Sequence, residues 1–346
     1  MDLLQKTIAS IGPLDREAMA RADERLNSLL KPPGSLGKLE EIARQIAGIT
    51  GSVINKTDKK AILIMCNDNG VTEEGISSFP ADVSFLVADT MLKGLAGVAV
   101  LGRHAGADLK VVDLGLFKDV PAPGMINRKI RRGTSNFTKG PAMTRDEAVK
   151  AIETGIEIAL TAADEGYTLL GTGEVGIGNT TTSSAILYAL TGESLDILAG
   201  RGAGLTDEGL EHKKAVIRKG VEMNRPDPGD PIDVLAKVGG FDIAALTGCF
   251  LGAASRRVPI VIDGFISGTA AVLAVRIKPE TKNFMFTSHL SGEPGTRKIS
   301  DILGLEPMLN MGMRLGEGTG CALAFNIIDA SMKIMGEMGT FADIGM

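Results

Sequence analysis

Tryptophan is missing from this sequence and tyrosine occurs only twice, so aromatic residues make up 4% of the chain. A surface that stacks the bases of single-stranded nucleic acid needs exposed rings, and this composition weakens that reading. Cysteine is scarce too. Cys66, Cys249 and Cys321 are too few and too scattered for a disulfide framework or a paired-cysteine zinc site, which points to a reducing, cytoplasmic setting. Basic blocks are lacking: 37 Lys and Arg against 42 Asp and Glu leave a net charge of −5, which argues against nucleic acid or an anionic membrane as the main partner. The most apolar run, Val258–Ile262, is far too short to span a bilayer. The opening MDLLQKTIASIGPL has no basic segment followed by an apolar one, so no signal peptide is read there. With three histidines, no HExxH and no serine–histidine–aspartate order, hydrolase and metalloenzyme readings find no support, and neither a metal nor a cofactor is expected.

What is abundant is glycine, 44 of 346 residues, nearly twice the usual share of about 7%. Spread through a non-repetitive sequence, it suggests tight turns where backbone approaches a ligand. The first fifty residues read as helices. Asp15 precedes a helical pattern, Lys31-Pro32-Pro33-Gly34 stops it, and Ser35 is placed to cap the next helix. Short apolar runs then follow at Ala61–Met65, Leu109–Leu114, Thr168–Leu170 and Val258–Ile262, with Asn283–Ser288 weaker, each leading to a helical pattern. Continuous rather than alternating apolarity marks strands buried on both faces. The fold class expected is α/β, a doubly wound, Rossmann-like, mostly parallel sheet. Residues 120–142 look like an exposed excursion, and the tail from Ile299 returns to helix through Met335.

The chemistry-bearing segments fall where runs end, which in an open α/β sheet is where ligands bind. Asn67-Asp68-Asn69-Gly70 follows the first run, and its plain alternative is an ordinary polar turn. Gly171-Thr172-Gly173-Glu174-Val175-Gly176-Ile177-Gly178-Asn179-Thr180 follows the third and leads to a helix at Ser183-Ser184-Ala185. Successive backbone N–H groups at a helix start favour an anion, so phosphate is the natural ligand, although neither the dinucleotide fingerprint nor the P-loop is matched. Gly200-Arg201-Gly202-Ala203-Gly204 is a second glycine loop, with Lys213 in the helix beyond it. Asp263-Gly264-Phe265-Ile266 and the loop from Ser288 to Gly295 complete the set; a lone histidine such as His289 is more often structural than catalytic. Glu317, the one carboxylate of Arg314-Leu315-Gly316-Glu317-Gly318-Thr319-Gly320, has apolar Met311, Met313 and Leu315 nearby. Such surroundings would raise its pKa toward that of a general base, unless it is an exposed turn residue.

Leu30-Lys31-Pro32-Pro33-Gly34-Ser35-Leu36-Gly37, Gly176-Ile177-Gly178-Asn179-Thr180-Thr181, Asp263-Gly264-Phe265-Ile266 and the Arg314–Gly320 segment together resemble the nicotinate-nucleotide:dimethylbenzimidazole phosphoribosyltransferase family, from about residue 20 to the C-terminus. The resemblance implies a large α/β domain (56–304) and a small helical domain built from both chain ends (1–55 and 305–346). It also implies a homodimer with sites near the subunit interface. The implied reaction moves 5-phosphoribose from nicotinate mononucleotide to an aromatic base acceptor and makes an α-linked nucleotide. Glu317 is then the base, with Glu174, Ser78, Leu86 and Leu315 around the acceptor. Gly176, Gly178, Asn179 and Thr180 hold the phosphoribosyl group, joined by Gly202, Gly204, Lys213, Asp263 and Ser291.

Three positions depart from the family pattern. Asn69 stands where histidine is usual, Thr296 follows Glu-Pro-Gly where histidine is usual, and Leu86 stands about where a glutamine is expected. They motivate an acceptor other than, or broader than, dimethylbenzimidazole: another benzimidazole, a purine or a phenolic compound. They also motivate an alternative in which the chain is a noncatalytic subunit paired with a homologue. A nicotinamide-dependent oxidoreductase, the third reading, rests on the α/β pattern alone.

Overall fold

The computed structural model describes residues 2–80 and 83–346. Its centre is one six-stranded sheet built from β1 (Lys60–Asn67), β2 (Ala107–Gly115), β3 (Ile126–Asn127), β4 (Leu169–Val175), β5 (Ile260–Ile262) and β6 (Met285–Thr287). All pairs are parallel and the order is β3-β2-β1-β4-β5-β6. This is the doubly wound arrangement, with its switch point between β1 and β4. Every residue of β1 and of β4 is buried, as helices on both faces of a parallel sheet require.

The apolar runs sit in these strands, with two differences. β4 continues through Gly171-Thr172-Gly173-Glu174-Val175, which the sequence had suggested as loop. A Cβ on Gly171 would stand 2.8 Å from the Cβ of Cys321, and one on Gly173 would strike the Glu317 carbonyl. The glycines are therefore there because the turn at residues 316–321 lies directly on the strand. The helix after this loop begins at Asn179, four residues before the Ser183 start expected, and runs Asn179–Thr191. The second difference is in residues 120–142, where β3 pairs with β2 and Phe137 is wholly buried, so the excursion is in good part built into the body.

Helix Arg16–Ser28 is capped by Asp15, whose carboxylate accepts from Ala18 N at 2.9 Å. Ser35 is not the next cap. Gly37 holds that position before Lys38–Thr50, and Glu40 instead accepts from Leu36 N and pairs with Lys31 at 2.8 Å. Helices Arg16–Ser28, Lys38–Thr50 and Thr319–Glu337 pack together, while Leu3–Ser10 packs on Arg145–Asp164 and Phe241–Ser255. An apolar stretch longer than Val258–Ile262 does exist: residues 83–105 are long and apolar enough to cross a membrane by length and composition. In this fold they form two helices, Val83–Leu92 and Gly97–Ala105, broken where Gly94 turns at φ +77°.

Candidate active site

A cleft of about 380 Å³ opens at the carboxyl ends of β4 and β5, beside the switch point. One wall is polar and glycine-rich: Gly176, Asn179 and Thr180 after β4, then Gly202, Ser291 and Glu293. Another is apolar: Phe79, Val87, Ile177, Phe265, Ile266 and Leu315. Glu174, Asp263 and Glu317 bring three carboxyl groups to this space.

Glu317 lies in a turn held by three successive left-handed residues, Gly316 at φ +77°, Glu317 at +65° and Gly318 at +99°. Left-handed backbone costs a non-glycine residue on the order of 1–2 kcal/mol, so its use here fixes the direction of one side chain. The Glu317 Oε2 accepts from Val98 N at 3.3 Å, at the start of helix Gly97–Ala105. Gly97 leaves room for it: a Cβ there would lie 2.8 Å from Leu315 and 3.5 Å from the Glu317 carboxylate. Partial burial raises the Glu317 pKa, Asp263 adds to the rise, and the Val98 amide opposes it.

Glu174 is at the carboxyl end of β4 and buried. Burial, with nearby Asp242 and Asp263, pushes its pKa up to about 8. The Asn179 side-chain amide donates to Glu174 and reaches Asp242 Oδ2 at 3.3 Å on its other side. Asp242 is itself raised to about 7 by burial. Beneath the two glycine loops lies Lys213, with its Nζ donating to Thr180 Oγ1 at 2.8 Å and to Gly200 O at 3.0 Å. Burial lowers its pKa to about 8, against the pull of Glu293. The Gly176–Thr181 loop spends several of its own amides: Ile177 N donates to Ser84 Oγ at 3.0 Å, Asn179 N to Gly176 O and Thr181 N to Gly178 O.

Nine of the expected site residues line the one cleft: Glu317, Glu174, Leu315, Gly176, Asn179, Thr180, Gly202, Asp263 and Ser291. The other five do not. Gly178 starts the helix behind the cleft wall, and Lys213 is beneath it. Gly204 borders an adjoining cavity of about 400 Å³. Ser78 is exposed, and the next residue, Phe79, forms the wall instead. Leu86 points to solvent at 54% exposure, while Val87, one helical step away, faces the cleft. The two other departures are also off the wall. Asn69 is buried behind the loop and donates to Ile177 O at 3.3 Å, and Thr296 is buried in the first turn of helix Thr296–Leu303. Val87, Ile177 and Glu293 were given no role from sequence; Ile177 and Glu293 lie inside quoted motifs and Val87 next to Leu86, and that is their only signal. Among the described residues no group of His, Cys, Asp and Glu could hold a metal ion.

Residues 11–346 match the model of a family described as phosphoribosyltransferase, DBI_PRT. Among similar curated proteins, the nicotinate-nucleotide–dimethylbenzimidazole phosphoribosyltransferase of Ruminiclostridium cellulolyticum is 57% identical over 339 residues, 98% of this chain and 96% of that one. The enzyme of the same name from Acetivibrio thermocellus is 54% identical over 341 residues, 99% of this chain and 97% of that one. The crystal structure of the Thermus thermophilus nicotinate-nucleotide–dimethylbenzimidazole phosphoribosyltransferase superposes with a TM-score of 0.90 at 37% identity, covering 96% of this chain and 99% of that one.

Proposed function

This chain belongs to the nicotinate-nucleotide–dimethylbenzimidazole phosphoribosyltransferase family, and on that premise we propose that its cleft transfers 5-phosphoribose from nicotinate mononucleotide to a ring nitrogen of 5,6-dimethylbenzimidazole. The product is an α-linked nucleotide for cobamide synthesis. The observation that carries this reading is the placement of Glu317: a half-buried carboxyl on the cleft wall, set between apolar side chains and two glycine loops.

In nicotinate mononucleotide the pyridinium nitrogen is already positive, so nicotinate leaves without an acid. The nucleophile is what needs help. As one benzimidazole nitrogen attacks C1′, the opposite N–H loses its proton, and Glu317 accepts it. Attack from the face opposite the leaving group turns a β nucleotide into an α one. Phe79, Val87 and Leu315 supply an apolar wall for the acceptor ring, and Glu174, neutral up to about pH 8, closes that end without adding a second negative charge beside the base. We assign the phosphoribosyl group to the Gly176–Thr180 loop with Gly202, Gly204 and Ser291. The Lys213 ammonium lies beneath Thr180 and Gly200, where a phosphate above the loops would meet its charge. Alignment of donor and acceptor would provide much of the acceleration.

Asn69, Leu86 and Thr296 are off the cleft wall, so they give no reason to prefer an unusual acceptor or a noncatalytic subunit. We further infer a homodimer that covers the exposed apolar side chains Phe79 and Leu315 near the mouth, and a cytoplasmic setting in keeping with three free buried thiols. Purified protein incubated with nicotinate mononucleotide and dimethylbenzimidazole should release nicotinate and yield the α-ribotide by mass. Failure with that pair, but turnover of a phenol or purine, would overturn the acceptor assignment. Light scattering on a sizing column tests the dimer.

A further inference from the structure

Asp263 follows β5 and is 2% exposed. Every polar group it owns is engaged. Its N–H is shared between Thr172 Oγ1 at 3.3 Å and Ser267 Oγ at 3.2 Å, and its carbonyl accepts from Ser288 Oγ at 2.7 Å. One carboxylate oxygen, Oδ2, accepts from Gly318 N at 3.0 Å. The other, Oδ1, accepts from Gly320 N at 2.7 Å and from Cys321 N at 3.3 Å.

These three amides are the start of the 19-residue helix Thr319–Glu337. Its N-cap residue, Gly318, has no side chain to offer, and glycine is required there by φ +99° and by Ile62, 2.6 Å from where a Cβ would stand. The capping carboxylate therefore comes from a distant part of the chain. What it caps is the far side of the turn that carries Glu317, and on the near side Glu174 Oε1 lies against Gly316, 2.5 Å from where a Cβ would stand. The base-bearing turn is held at both ends by buried carboxyl groups, each anchored in the sheet.

We propose that Asp263 is a positioning residue that aims Glu317 by clamping the amides of Gly318, Gly320 and Cys321, and that it does not bind the phosphoribosyl group. This assignment rests on the reading of Glu317 as the base. Three amides already occupy the Asp263 carboxylate, two on Oδ1 and one on Oδ2, so a ribose hydroxyl would find at most the second lone pair of Oδ2, and the fixed donors around a left-handed turn are worth most when left in place.

The test uses the full-length enzyme with Asp263→Asn, Asp263→Ser and Glu317→Gln. In Asp263→Asn the side-chain NH2 meets backbone N–H donors, so the clamp is lost on one side. Its kcat should fall on the order of 100-fold, as for a base displaced by about an ångström, while KM for nicotinate mononucleotide stays within about twofold. The acid limb of its kcat/KM profile should move to lower pH, because a negative neighbour of Glu317 is gone. Glu174 on β4 and Arg314 on the turn itself are the other titratable or charged groups on this wall, and His289 faces Asp263 from the loop after β6. Combining Asp263→Asn with Glu317→Gln should cost no more than Glu317→Gln alone, since no base is left to aim. Multiplicative losses, an unmoved acid limb or a loss confined to the nucleotide KM would overturn the proposal. Glu317→Gln turning over normally would instead sink the base reading beneath it. Should the asparagine variant not fold, Asp263→Ser keeps one acceptor without a donor conflict. A crystal structure of the wild-type enzyme with bound nicotinate mononucleotide decides independently: both oxygens should stay on Gly318 and Gly320, and an oxygen transferred to a ribose hydroxyl would refute the assignment.

Discussion

The Glu174 carboxylate lies against the bare α-carbon of Gly316, with Oε1 2.5 Å from the place a Cβ would occupy. A strand-end acid and the turn that carries Glu317 are therefore in direct contact, and that contact depends on a hydrogen atom where any other residue has a side chain. Gly316 is also left-handed, at φ +77°. Gly316→Ala meets both obstacles, backbone strain of about 1–2 kcal/mol and a collision with Glu174. We expect kcat to fall roughly 10- to 100-fold with secondary structure unchanged by circular dichroism, since sub-ångström displacement of a base is enough for such losses. A variant with normal kcat would mean that the turn tolerates rearrangement.

Glu317→Gln keeps the shape and removes the proton acceptor. Turnover should drop by roughly 10²–10⁴, the usual worth of a general base, while nicotinate mononucleotide binding is retained. In the wild type, burial and Asp263 raise the Glu317 pKa above its ordinary value of 4.5. The base form is thus lost on acidification earlier than for a free glutamate, and kcat/KM should show an acid limb above pH 4.5 that vanishes from the residual rate of the variant. Steady-state kinetics from pH 4 to 8 measure it.

Much of this arrangement was legible in the sequence. Ala61–Met65 is apolar without alternation, as a strand buried on both faces is, and lies in β1; Leu109–Leu114, interrupted by Lys110 and Asp113, lies in β2, which is buried from Val111 onward. Glu317 stood out as the one acid of the Arg314–Gly320 segment, yet spacing alone left an exposed turn residue equally open, and only the family resemblance implied a base there. The second half of β4 was not legible: Gly171, Gly173 and Glu174 look like turn residues, and their reason is a segment about 150 residues away, packed on the strand. Val87 rather than Leu86 faces the cleft because helix phase is set by packing, and adjacent positions differ by about 100°. At the next helix Gly37 rather than Ser35 holds the cap position, and the Lys31–Glu40 pair beside it is a contact across the Pro32-Pro33 stop that no local pattern displays.

Two buried acids link stability to pH. Glu174 moves from 4.5 to about 8 and Asp242 from 3.8 to about 7 in the folded state. Between those limits the native protein holds more protons than the unfolded chain, so these groups support stability below the unfolded values and lose that support as pH rises through the folded ones. Thermal midpoints should therefore decline from about pH 5 toward pH 8 through this pair. Glu174→Gln, which cannot ionise, should gain relative to wild type as pH rises, with a larger difference at pH 8 than at pH 5. A difference independent of pH would show that Glu174 titrates normally.

Acceptor recognition should follow the wall rather than the motif. Phe79 lines the cleft with its ring half exposed, whereas Leu86, at 54% exposure, is not on the wall. Removing an apolar contact to a bound ring costs about 1–3 kcal/mol, or roughly 10- to 200-fold in kcat/KM. Phe79→Ala should thus raise KM for dimethylbenzimidazole at least tenfold and leave that for nicotinate mononucleotide nearly unchanged, because the phosphoribosyl loops are on the opposite wall. Leu86→Gln, which restores the residue expected at about that position, should change neither constant by more than about twofold, the range of a surface substitution. The contrast is what matters. A glutamine at 86 that sharpened selectivity among benzimidazoles would mean that this helix turns or closes over the acceptor during the reaction, bringing Leu86 to the ring.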